Sequence, residues 1–138
     1  MNNIPNFATV DTNIYRGGQP DAQGWEYLEE LGVTRVAKLN MDSEAKDETN
    51  LEILKAGIPL DEQLIFMPDK QVVQTAVDFI IPGTFIHCEH GQDRTGLIIG
   101  CYRVWTQGWD KEKAWQEMLD RGFHEALLGL TLFWKWAV

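Results

Sequence analysis

Two cysteines, no long apolar run and a shortage of basic residues narrow the reading of this sequence before any motif is considered. Cys88 and Cys101 are too few for a disulfide framework and lack the grouped spacing of a metal cluster. No apolar stretch approaches the roughly 18 residues that a membrane span requires. Met1 to Val10 also lacks the basic start and apolar stretch of a secretory leader, so a cytoplasmic protein is expected. Lys and Arg number 12 against 21 Asp and Glu, for a formal charge of −9. Such a chain repels nucleic acid and anionic membrane surfaces. Internal repeats, low-complexity tracts and linkers are absent too.

What is present fits one soluble domain over residues 1–138, with 44% hydrophobic and 24% charged residues. A short strand is predicted at Asn13 to Arg16, then a helix from Pro20 to Leu31 stopped by Gly32. Val33 to Leu39 has the β-branched, apolar character of a strand. Ser43 is read as the cap of a helix ending at Gly57, with Leu51 and Leu54 inward, and Ile58 to Leu60 as a short extended piece. Pro68 opens the next helix, where Val72, Val73, Ala76, Val77 and Ile80 recur at helical spacing. Thr84 to His87 is a strand and Thr95 to Gln107 a largely apolar central helix, within which Cys101 packs as a buried thiol. Helices from Asp110 to about Arg121 and from Glu125 to Trp136 complete the chain, the last with Leu128, Leu132 and Trp136 on one stripe. Alternating strands and helices with a helical finish give an α/β fold.

The informative segment is His87 to Gly96, H-C-E-H-G-Q-D-R-T-G. A strand feeding a tight loop that opens a helix aims backbone N–H groups and the positive helix end at one point. An anion binds at such a point, and the same field favours the thiolate of a cysteine placed there. Cys88 followed at the sixth position by Arg94 therefore puts a nucleophile and an anion cradle in one loop. With a net negative chain, capture must come from these local donors rather than from long-range attraction.

His87, Cys88, Gly91, Arg94, Thr95 and Gly96 resemble the signature loop of the cysteine-dependent tyrosine and dual-specificity phosphatases. Tyr15-Arg16-Gly17-Gly18-Gln19-Pro20, Tyr102-Arg103-Val104, Gly108-Trp109 and Glu117-Met118 extend the likeness to small bacterial dual-specificity-like members over most of the chain. The resemblance implies a compact fold with a central sheet of about four to five strands flanked by helices. It also implies hydrolysis of phosphomonoesters through a cysteinyl-phosphate, with no cofactor and no metal. Cys88 would attack phosphorus in line, and Arg94 would grip two phosphate oxygens with its planar fork. The amides of Glu89, His90, Gly91, Gln92, Asp93 and Arg94 would take the remaining oxygens. Thr95 would donate to the Cys88 sulfur and ease its departure. His87 would order the loop from behind, and His90 is read as a rim residue.

The leaving group needs a proton, normally from an aspartate on a neighbouring loop. Asp61, after the extended piece and ahead of a helix, occupies the place of the acid in the dual-specificity families and is preferred. Asp69 is an alternative, although Pro68-Asp69 is also an ordinary helix opening. Asp93 is a further candidate, with loop stabilisation beside a basic neighbour as its competing role. Arg16 is read as a brace for the loop, and Arg103 as an ion-pair partner.

Phosphotyrosine, phosphoserine and phosphothreonine proteins are the leading substrate class, and inositol polyphosphates or phosphoinositides the alternative. A loop without lysine disfavours the alternative. Sulfur transfer, arsenate reduction and a silent phosphate-binding module rank below both, because Cys101 is badly placed as a resolving thiol and Cys88 and Arg94 are both retained. A monomer is expected.

Overall fold

The computed structural model of the chain describes residues 3–41, 47, 49–60 and 67–138. In chain order the elements are β1 (Ala8–Asp11), β2 (Ile14–Gly17), α1 (Ala22–Glu30), β3 (Arg35–Lys38), β4 (Glu52–Lys55), α2 (Lys70–Phe79), β5 (Thr84–His87), α3 (Arg94–Trp105), α4 (Lys111–Asp120) and α5 (Leu128–Ala137). The strands form one five-stranded sheet in the order β1-β2-β5-β3-β4. β1 and β2 are antiparallel, while β2, β5, β3 and β4 run parallel. β5 is thus hydrogen-bonded on both edges and buried at all four residues, as a fully covered parallel strand should be.

Alternation along the strands divides the core. Val36 and Phe85 face Ile4, Trp25, Leu28 and Val33 on the side covered by α1. Ala37 and Ile86 face the larger cluster beneath α2, α3, α4 and α5, which includes Val73, Val77, Leu97, Ile98, Met118 and Phe133. Each fully buried Leu, Ile, Val, Met or Phe in these layers stabilises the fold by about 1.5–3 kcal/mol relative to exposure. α3 is buried at every residue from Arg94 to Arg103, which makes it the central helix. None of the helices described is long and apolar enough to cross a membrane.

The helix starts follow local chemistry. Asp21 caps α1 by accepting from the Gly24 N–H at 2.8 Å, and Asp69 caps α2 by accepting from the Gln71 N–H at 2.7 Å. Pro20 therefore stands just ahead of the α1 cap rather than within the first turn. Gly32 and Gly122, at the expected stops of α1 and α4, both have positive φ.

Three sequence expectations need correction. The helix expected from Ser43 to Gly57 is replaced over Glu52–Lys55 by β4, which pairs in parallel with β3, while Ser43 itself lies outside the described residues. The extended piece from Ile58 continues that strand's approach, since the Ile58 N–H still reaches the Leu39 carbonyl at 2.9 Å. β1 was not anticipated, its four residues being too short a run for period-two alternation to stand out. On α5, Leu128, Leu132 and Trp136 are the outward stripe, and Leu130, Phe133 and Trp134 carry the packing.

Candidate active site

β5 ends at His87, and the chain turns through residues 88–93 before α3 begins at Arg94. The turn is held from outside by the N-terminal segment. The Glu89 carbonyl accepts from the Gln19 N–H (2.9 Å), the His90 carbonyl from Asn6 Nδ2 (2.9 Å), and the Gly91 carbonyl from an Arg16 guanidinium nitrogen (3.2 Å). Three successive carbonyls are thereby turned outward. The Gly91 N–H faces the other way and donates to Cys88 Sγ at 3.3 Å. A backbone turn with the Gly91 amide inward and three carbonyls pinned outward favours an anion.

Gly91 is required at its position. Its φ is +76°, and a Cβ there would stand 2.4 Å from the Gly17 carbonyl carbon and 2.6 Å from the Gly18 nitrogen. The end of β2 packs directly on the loop and leaves no room for a side chain.

Cys88 is 3% exposed, and its Sγ also accepts from Thr95 Oγ1 at 3.0 Å. Arg94, the first residue of α3, is buried and donates to the Ile58 carbonyl at 3.1 Å. Its guanidinium is thus tied to the segment that follows β4. Cys88, Gly91 and Thr95 therefore meet in one place, with Arg94 next to Thr95 at the start of α3. Asp61 lies outside the described residues, so its side chain is not located.

His87 is fully buried, with its ring stacked on Phe85 (centroids 5.4 Å apart) and edge-on to Trp25 at 5.8 Å. Its Nδ1 lies 3.3 Å from the Cys88 carbonyl oxygen, and its Nε2 lies 2.8 Å from Asp47 Oδ2. Asp47 also accepts from Lys38 Nζ (3.3 Å) and Gln19 Nε2 (2.9 Å), and Asn40 Nδ2 donates to Gln19 Oε1 (3.0 Å). Burial pushes the Asp47 carboxyl up. The hydrogen bond and charge of His87, with Gln19 and Lys38, outweigh that effect and hold it below the ordinary carboxylate value. Sequence reading missed Asp47, because it fell within a segment read as helix and its partners are distant in the chain.

Other candidates are engaged elsewhere. Asp69 caps α2. Asp93 Oδ1 accepts from the His124 N–H at 2.7 Å and lies 3.0 Å from His124 Nδ1, so its carboxylate ties the loop to the α4–α5 connection. Glu89 and His90 stand at the exposed rim, 3.9 Å apart. Arg16 braces the loop as expected. Burial lowers its guanidinium to about 10, with Glu117 opposing the drop and Arg121 adding to it. Arg103 grips Glu117 with two contacts of 3.0 Å. Cys101 is buried on α3, and burial pushes its thiol well up.

Comparison with known proteins agrees with this arrangement. Residues 3–123 match the model of the tyrosine phosphatase family. The dual specificity protein phosphatase TpbA of Pseudomonas aeruginosa is 28% identical over 123 residues, covering 86% of this chain and 55% of that protein. Inositol diphosphatase DSP1 of Oryza sativa subsp. japonica is 33% identical over 110 residues, covering 71% of this chain and 49% of the relative. The chain thus spans about half the length of these curated relatives. Among solved structures, the core catalytic domain of the PP-IP phosphatase SIW14 from S. cerevisiae superposes with a TM-score of 0.79 at 21% identity, over 96% of this chain and 85% of that one. The sheet order, the loop and the match over residues 3–123 agree: this chain belongs to the tyrosine phosphatase family, among the cysteine-dependent tyrosine and dual-specificity phosphatases.

Proposed function

We propose that residues 1–138 act as one domain that hydrolyses phosphomonoesters through a cysteinyl-phosphate on Cys88. One observation carries the reading. Cys88 Sγ is held at 3.3 Å by the Gly91 N–H and at 3.0 Å by Thr95 Oγ1, beside the buried Arg94 at the start of α3. A thiolate placed there faces an anion site built from donors. Sγ attacks phosphorus in line, the P–S bond forms, and the ester P–O bond breaks. Arg94 and the loop amides hold the three equatorial oxygens as charge moves across them. Asp61 is assigned the proton given to the departing oxygen. Water then attacks phosphorus, the P–S bond breaks, and the sulfur leaves as a thiolate accepting from Thr95. His87, held by Asp47, keeps the entry to the loop in place.

A dual-specificity type of phosphatase, acting on phosphotyrosine and phosphoserine or phosphothreonine, is the leading substrate reading, supported by the similarity to TpbA. Inositol phosphate hydrolysis is the second, favoured by the 33% identity to a rice inositol diphosphatase. Cys88→Ser is the test of mechanism. Release of phosphate from p-nitrophenyl phosphate should fall by about three orders of magnitude or more while oxyanion binding survives. Full activity in that variant would sink the mechanism. A panel of phosphotyrosine peptides against inositol hexakisphosphate separates the two substrate readings.

A further inference from the structure

The chain ahead of β1 crosses the outer side of the signature loop, and it is anchored on both sides of one residue, Asn6. Ile4 is buried on the α1 side of the sheet. The Asn3 carbonyl accepts from the Asp21 N–H at 3.1 Å, and the Pro5 carbonyl from the Gly18 N–H at 2.7 Å. Beyond Asn6, Phe7 stacks on Tyr15 with centroids 5.6 Å apart and meets Tyr27 edge-on at 5.7 Å. A Cβ on Gly18 would stand 2.6 Å from the Glu89 carbonyl oxygen and 3.0 Å from Pro5 Cβ, so this strap and the loop close on the same bare position.

Asn6 sits in a turn with a φ of +50°. Glycine would meet that backbone demand at no steric cost, whereas asparagine meets it and adds an amide. The amide is used. Nδ2 donates to the His90 carbonyl at 2.9 Å, across 84 residues of sequence. That carbonyl belongs to the same peptide as the Gly91 N–H, which donates to Cys88 Sγ at 3.3 Å. The peptide is trans and planar, so its C=O and N–H point in opposite directions. A donor that pins the oxygen outward therefore fixes the hydrogen inward. Without that donor the plane is free to turn about the bonds on either side, and Gly91, at φ +76°, has no side chain to resist the rotation.

The geometry points to Asn6 as a remote positioning residue for the phosphatase reaction, one that aims the Gly91 N–H at the Cys88 sulfur by holding the other end of the same peptide. The inference rests on the proposed phosphatase reading and adds to it a residue outside the signature loop. The other two outward contacts do not duplicate this one. Gln19 holds the Glu89 carbonyl, whose peptide carries the His90 N–H, and Arg16 holds the Gly91 carbonyl, whose peptide carries the Gln92 N–H. Of the three, the Asn6 bond alone acts on the amide that reaches Cys88.

The test compares the full chain with its Asn6→Gly and Asn6→Asp variants by calorimetric binding of inorganic phosphate, turnover of p-nitrophenyl phosphate and melting temperature. Asn6→Gly keeps the turn and loses the donor. Its melting temperature should stay within about 4 °C of wild type. Phosphate affinity and kcat/KM should each fall by about five- to tenfold, the scale of one hydrogen bond. Asn6→Asp sets an acceptor against the carbonyl, so its loss at pH 7 should be larger. A protonated carboxyl is again a donor. The ratio of Asn6→Asp to wild-type kcat/KM should therefore climb by about fivefold or more between pH 7 and pH 4, as the carboxyl enters its range near 3.9, while the Asn6→Gly ratio stays flat. Arg16, Asp120 and Arg121, which line one cleft with Asn6, and Glu89 and His90 on the loop are common to all three proteins, so the ratio removes their own effect on the rate. Constants within about twofold of wild type in Asn6→Gly, or an Asn6→Asp ratio indifferent to pH, would overturn the assignment. Should Asn6→Gly fold poorly, the pH dependence of Asn6→Asp decides alone. A wild-type chain that binds phosphate without turning over p-nitrophenyl phosphate would remove the activity, and the phosphate affinities would still read the part played by Asn6.

Discussion

Asp47 and His87 face each other at 2.8 Å in the interior, 40 residues apart in sequence, and the pair sits directly behind Cys88. The carboxylate is held below its ordinary value in spite of burial. A carboxyl lowered on folding stabilises the protein fully above its unfolded value of about 3.9, and that stabilisation disappears as pH falls through the folded value. Asp47→Asn should therefore lower the melting temperature most near neutrality, by an amount equivalent to about 2 kcal/mol for a lost charged hydrogen bond. The gap from wild type should close below about pH 4. A gap independent of pH would mean that shape rather than charge is what His87 needs.

Thr95 donates to Cys88 Sγ at 3.0 Å, and the bond matters most when the sulfur leaves phosphorus. Thr95→Ala should slow turnover by roughly ten- to a hundredfold, the value of one hydrogen bond to a charged group. The loss should fall on the second step. Rapid mixing with p-nitrophenyl phosphate should then show a burst of close to one equivalent of nitrophenol before the slow phase. A slow first turnover without a burst would assign Thr95 to the attack instead.

How much of this was legible in the sequence depended on how local each signal was. The loop and α3 were legible because Cys88, Gly91, Arg94 and Thr95 fall within eight consecutive residues and each is demanded by one short turn. β4 was not, because Glu-Ile-Leu-Lys at Glu52–Lys55 carries a strand pattern only through its pairing with β3. Asp47 was invisible for the same reason, since its partners Gln19, Lys38 and His87 are assembled by the sheet. The α5 stripe was misplaced because that helix is apolar on nearly every side, so spacing alone could not choose Phe133 and Trp134 over Leu132 and Trp136.

The three aspartates considered for proton donation should separate cleanly. Asp61→Asn should slow alkyl phosphates by about 10²–10⁴-fold and p-nitrophenyl phosphate little, because nitrophenolate leaves without help. Asp69 caps α2, and Asn caps a helix as well as Asp. Asp69→Asn should thus be neutral, while Asp69→Ala costs about 1 kcal/mol of stability. Asp93→Asn weakens the tie to His124, so any loss of rate should be independent of the leaving group. A leaving-group dependence in Asp69→Asn or Asp93→Asn, with Asp61→Asn silent, would move the proton donor there.

Two glycines with similar backbone angles should respond very differently to alanine. Gly91 has φ +76° with Gly17 and Gly18 backbone atoms where a Cβ would go, whereas Gly108 has φ +70° with nothing within 4 Å. Gly108→Ala therefore meets only the left-handed penalty of about 1–2 kcal/mol, seen as a small drop in melting temperature with full activity. Gly91→Ala meets that penalty plus contact with backbone that cannot rotate away, so the loop or the end of β2 must move. Either movement breaks the contacts that hold the Glu89, His90 and Gly91 carbonyls outward and misdirects the Gly91 amide that faces Cys88. Phosphate binding and turnover should both fall by about a hundredfold or more, since misplacement on the order of 1 Å at a preorganised site costs that much. Activity surviving in Gly91→Ala would show that the outward carbonyls are not what orients the cradle.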